Sequence, residues 1–312
     1  MPSKTPTRAR RIVNARVRAI RNAALLLLVS VSVAPPVICQ TAASLVVTGR
    51  ALLDSGKNDA AVKAFEKAVA LDGQSAANRM WLVQALGAVV AKANMLRQPF
   101  LARRIKSELE KARELDPASI DPHQGLLQYY LRAPAIAGGG VSKARGEAAE
   151  IAKINPLRGQ FAYAQIARHE KDSAAIERAY RTAVAENPDS TAAYVTLAGY
   201  LFNTQRADGA FATIDALLAR RPNEPAGIYY IGMFASVSGR QLDRGETMLR
   251  QFLALPADTT DRGRPAAAIV HFRLGELLVK KGDTPAARAE LETALRLNPR
   301  LDAARAALSS LR

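Results

Sequence analysis

The chain has 312 residues, 49% of them apolar and only 5% aromatic, and its 44 basic and 28 acidic residues give a formal charge of +16. The apolar content excludes a disordered chain, and few aromatics beside abundant alanine exclude one large aromatic core in favour of many small helix–helix contacts. A single cysteine excludes an internal disulfide framework.

The first 53 residues contain no acid; Asp54 is the first. Lys4, Arg8, Arg10, Arg11, Arg16, Arg18 and Arg21 precede a twelve-residue apolar run, Ala23 to Ala34, and Pro35-Pro36 follows. The run is shorter than the roughly 20 residues needed to cross a bilayer and has the flanks of a secretory signal peptide. Residues 1–39 are therefore expected to be an export signal, cleaved between 39 and 43, that places the mature chain in the periplasm of a bacterial envelope. The competing readings are a retained membrane anchor, lipidation at Cys39 (where Ile38 precedes it instead of a small residue), and a mitochondrial leader, against which the leucine run argues. Removing the leader takes away seven basic residues and the only cysteine, so the charge falls from +16 to +9. A nucleic-acid partner is not expected, because export and this modest charge both oppose it.

From Ala42 onward, apolar residues recur at helical spacing in paired runs joined by short polar breaks. The units run 42–75, 76–119, 120–156, 157–190, 191–224, 225–258 and 268–301, with an amphipathic tail at 302–312. Unit two carries about ten extra residues, around Ala91 to Phe100, and unit three about five, in RAPAIAGGGVSK. Unit six has one extra near Gln241, and Pro256 to Pro265 links it to unit seven. In the last unit Gly275 is small enough to admit a second helix. Lys280-Lys281-Gly282-Asp283 makes the turn, Pro285 suits the first turn of the next helix, and Pro299 stops it.

Counting Ala268 as position 1, Leu274, Gly275, Leu278, Ala287, Leu291, Ala294 and Pro299 fall at positions 7, 8, 11, 20, 24, 27 and 32. The first unit repeats the pattern with Gly49, Leu52, Ala61, Phe65 and Ala68. This spacing resembles the tetratricopeptide repeat, a 34-residue helix–turn–helix unit. The resemblance implies an all-α fold: a right-handed α-solenoid of about seven units, with residues 302–312 as a capping helix.

No catalytic motif stands out. G-x-S-x-G, HExxH and phosphate-binding glycine loops are missing from the sequence, and Gly138-Gly139-Gly140 lacks the Lys-Ser/Thr of a P-loop. That glycine run reads as a tolerated loop insertion, or else as a lid or docking loop. His123 and His271 both occupy position 4, a packing slot, and His169 lies at a helix end. The three are far apart with no cysteine partner, so neither a metal site nor a cofactor is expected.

The resemblance further implies that first helices line a concave groove through positions 2, 5, 9, 12 and 13. Those positions are Met80 and Gln84 in unit two, then Gln124, Gln128 and Leu131 in unit three. Unit four offers Phe161, Gln165, Arg168 and His169; unit five, Val195, Phe202 and Asn203. Unit six offers Tyr229 and Met233; unit seven, Phe272, Glu276 and Lys280. The binding residues expected from these are Gln124, Gln128, Phe161, Gln165, Phe202, Asn203, Tyr229, Met233 and Phe272. No unit has the Lys and Asn pair with which some family members clamp a terminal carboxylate. Amides, aromatics and Met suit an apolar or amphipathic segment instead. The expected function is a non-catalytic scaffold for a protein or peptide partner; the alternative is a receptor for a small hydrophobic ligand within the superhelix.

Overall fold

A computed structural model describes residues 41–256 and 264–311. The export-signal reading, Cys39 and most of the 256–265 linker lie outside these residues. The described residues form fifteen α-helices and one 3-10 turn, with no strand. They are α1 (Ala42–Asp54), α2 (Asn58–Leu71), α3 (Ala76–Val90), α4 (Gln98–Leu115), α5 (Ile120–Arg132), α6 (Val141–Ile154), α7 (Pro156–Glu170) and α8 (Ser173–Glu186). The series continues with α9 (Thr191–Asn203), α10 (Ala207–Arg220), α11 (Pro225–Ser238), α12 (Leu242–Ala254), α13 (Ala267–Lys281), α14 (Thr284–Leu297) and α15 (Asp302–Ser309).

Helices pack as seven antiparallel pairs, each second helix also contacting the first helix of the next pair, and α15 closes the end against α14. The result is an all-α solenoid. Local chemistry sets the starts and stops. Thr41, Ser75, Asn155, Asp172, Ser190 and Asp283 each accept a backbone N–H of the following first turn through their side chains. Between α13 and α14, Gly282 takes φ 82°, and Pro285 sits in the first turn of α14.

In pairs one, six and seven a glycine on the first helix receives a large residue from the second. A side chain at Gly275 would meet Leu291 at 2.7 Å, one at Gly232 would meet Leu249 at 2.3 Å, and one at Gly49 would meet Phe65 at 2.5 Å. Leu291, Leu249 and Phe65 are fully buried, each worth about 1.5–3 kcal/mol of transfer free energy. The core falls into segments along the array. One joins pairs one and two around Phe65, Leu82 and Leu86. A second, around Leu126 and Ile151, runs from pair two to pair four. The largest, from Ala164 to Ala287, carries Phe211, Phe234 and Phe252.

The insertions are absorbed between helices. Residues 91–97 form turns between α3 and α4, and α4 itself extends to 18 residues. Ala135–Ala137 make the 3-10 turn between α5 and α6. The extra residue of pair six is taken up by Gln241, which adopts left-handed φ 51° just before α12. None of the described helices is long and apolar enough to cross a membrane.

Candidate functional site

All nine expected binding residues lie on first helices. Those helices contact their counterparts directly between α5 and α7, α9 and α11, and α11 and α13. Side chains from different pairs are thereby brought together. Gln124 donates to the Gln165 carbonyl at 3.0 Å, linking α5 to α7. Gln128 is exposed, as is Asn203 at the end of α9.

The aromatic members are half-buried and form a relay through pairs four to six. Phe161 meets Tyr180 edge-on at 6.2 Å, and Tyr180 meets Tyr200 at 5.5 Å. The Arg168 guanidinium donates to the Tyr180 hydroxyl at 2.8 Å. Phe202 stacks on the fully buried Phe234 of the next pair, centroids 4.4 Å apart. One face of Phe202 is thus committed to packing between pairs. Tyr229 lies against Tyr230 and Phe252, both at 5.7 Å. Burial pushes its phenol pKa up, and the neighbouring Arg273 guanidinium opposes that shift. Met233, one turn on, is also half-buried against the central core.

Phe272 is a correction. It is 7% exposed and packs with Leu291, Ala294 and Ala304 beneath the capping helix. Positions 2, 5, 9, 12 and 13 line a groove only where a further pair follows, and here α15 covers the last one. Beside it, Arg273 donates to Glu276 at 2.8 Å, while its Nε is buried without a hydrogen-bond partner.

The two position-4 histidines are packing residues with a specific role. His123 Nδ1 lies 2.6 Å from Glu147 Oε2, and Arg113 donates to the other carboxylate oxygen at 2.8 Å. His271 Nδ1 lies 2.6 Å from Glu290 Oε2, with Arg250 3.4 Å from Glu290 Oε1. In both, histidine and glutamate belong to one pair and arginine to the preceding pair's second helix. The same Arg–Glu–His clasp therefore fastens pair two to three and pair six to seven. His123 and Glu147 are 5% and 6% exposed, which makes the clasp a structural element of the interior.

The glycine loop is tightly tied. A side chain at Gly139 would lie 1.8 Å from the Ala133 carbonyl oxygen, so only glycine passes there, and Gly138 and Gly140 take φ 84° and 148°. Tyr129 donates its hydroxyl to the Ala137 carbonyl at 2.7 Å, and the Gly140 N–H donates to Tyr130. A cleft of about 530 Å³ opens beside this loop, between α3, α4 and α5.

The chain matches the family model described as tetratricopeptide repeat over residues 46–89, 162–225, 237–302 and 272–310. No curated protein matches it in sequence. Among solved structures, yeast Tom70 superposes with a TM-score of 0.55 at 13% identity, covering 88% of this chain and 57% of Tom70. A tetratricopeptide repeat protein from Parabacteroides merdae gives 0.48 at 11% identity, covering 86% and 98%. The Pseudomonas aeruginosa pilF protein gives 0.44 at 15% identity, covering 74% and 99%.

Proposed function

Given that the chain belongs to the tetratricopeptide repeat family, whose members are generally non-catalytic interaction scaffolds, we propose that it is a scaffold docking an apolar or amphipathic protein segment on the first helices of pairs three to six. The observation that carries this reading is the run of half-buried Phe161, Phe202, Tyr229 and Met233 on successive first helices, with the Gln124–Gln165 amide pair joining α5 to α7 and α9 packed on α11. Aromatic and Met side chains give an apolar segment adaptable contact area, and amides satisfy its backbone groups. The basic, acid-free leader supports action in the cell envelope after export.

Alanine at Tyr229 or Met233 is expected to cost about 1–3 kcal/mol of partner binding while lowering the melting temperature less than Leu291→Ala does. Binding unchanged in both variants would remove this surface from the docking site. For compartment, residues 1–45 fused to a reporter active only outside the cytoplasm should give an active, processed product. A cytosolic, unprocessed fusion would refute export.

A further inference from the structure

The first helices of pairs two and three, α3 and α5, both pack against α4. The space between them at the insertion end is the 530 Å³ cleft, within the usual size range of small-molecule sites. Its walls are apolar: Val83 and Val90 of α3, Ala102 and Ile105 of α4, Tyr129 of α5, and Pro134. Its polar groups are the amides of Gln98 and Gln128 and the guanidinium of Arg132.

The two stretches that supply most of the cleft lining, Gly73 to Ser107 and Pro122 to Gly146, carry basic residues and no acid. Arg132 is exposed and makes no ion pair among the described residues, and the same holds for Lys92, Arg97 and Arg103. In the first of these stretches Arg79 and Arg104, by contrast, are paired with Glu108 and Glu66. The most exposed large apolar side chains of the described surface also gather here. Met95, Leu96 and Phe100 (85%, 82% and 73% exposed) flank Gln98-Pro99, and Ile136 (95%) lies between Pro134 and Ala137.

Gly87 adds an independent observation. It sits inside α3 on the cleft wall, where glycine costs about 0.5–1 kcal/mol against alanine. Gly125, on the facing helix, is needed because a side chain would strike Leu109 at 2.5 Å, whereas a side chain at Gly87 would meet nothing within 4 Å. Gly87 leaves this part of the cleft wall without a side chain.

We propose that this cleft binds an anionic amphiphile, its apolar chain between α3, α4 and α5 and its carboxylate or phosphate on Arg132. The site meets the docking surface on pairs three to six only at Gln128, which borders both, and does not depend on it. The two sources of such chemistry are a free fatty carboxylate and an acidic phospholipid in a bilayer.

The test titrates the full chain with 11-(dansylamino)undecanoate and follows displacement by oleate, dodecylamine and dodecanol. One site per chain is expected, displaced by oleate and not by dodecylamine. Gly87→Phe should fill the cleft and abolish binding without lowering the melting temperature. Arg132→Gln should weaken the carboxylate about tenfold, the loss of a charge-assisted hydrogen bond, and leave dodecanol unchanged. Stronger displacement by phosphatidylglycerol vesicles than by soluble oleate assigns the bilayer source; the reverse assigns the free acid. Equal displacement by dodecylamine, full binding by Gly87→Phe, or an Arg132→Gln variant indistinguishable from the parent would overturn the site.

Discussion

At the scale of single residues, the most demanding group is Glu147. Its carboxylate lies 6% exposed between His123 and Arg113, which come from different pairs. Glu147→Ala leaves those partners without their acceptor, and breaking a buried pair in this way costs about 3–5 kcal/mol. Urea unfolding should show that loss, whereas Glu150→Ala, one turn along and exposed, should change stability by no more than about 0.5 kcal/mol. These clasps were only half legible in the sequence. Position 4 marked His123 and His271 as interior, but nothing in one unit points to an arginine contributed by its predecessor. The insertion at 133–140 also makes the His–Glu separation 24 residues in pair three and 19 in pair seven, which hides the recurrence. Phe272 was misread for a related reason. Its position is that of a groove residue, yet the helix that follows is a cap and not another pair.

At the scale of elements, the helix pairs were readable because one contact dictates the spacing. Gly275 against Leu291 and Gly49 against Phe65 need a small residue and a large one sixteen apart, and that regularity survives changes in everything else. Leu291→Ala should therefore cost about 2–5 kcal/mol through its cavity. The irregular elements were readable only as excess length. That Gln241 would absorb a residue by turning left-handed, or that residues 91–97 and 135–137 would border one cleft, depends on distant packing. Ion pairs join neighbouring elements too. The Lys281 ammonium, with Arg250 adding to it, holds the Glu246 carboxyl below the ordinary carboxylate range, and Lys281 itself is raised by Asp243 and Glu246. A lowered carboxylate contributes stability that is present at neutral pH and lost as pH falls through its lowered value. A raised lysine loses its contribution only as pH rises through its raised value. Hydrogen exchange should accordingly show α12 and α13 opening more readily on the acid side of the usual carboxylate pKa of about 4.3, and unchanged between pH 6 and 9. Glu246→Gln should remove that acid dependence.

At the scale of the whole molecule, the segmented core makes stability a sum over pairs and their interfaces, so damage should remain local before it becomes global. The same construction displays one surface repeatedly, with Gln124, Gln165, Phe202, Tyr229 and Met233 on successive first helices. Whether that surface docks a partner is the central claim, and site-specific photo-crosslinking in the native cell tests it most directly. A benzophenone amino acid placed singly at Gln165, Tyr229 and Met233 should yield adducts of one shared mass. The same probe at Lys111, Arg178 and Glu292, exposed on second helices, should yield none. Adducts arising equally from both sets, or from the second helices alone, would contradict it.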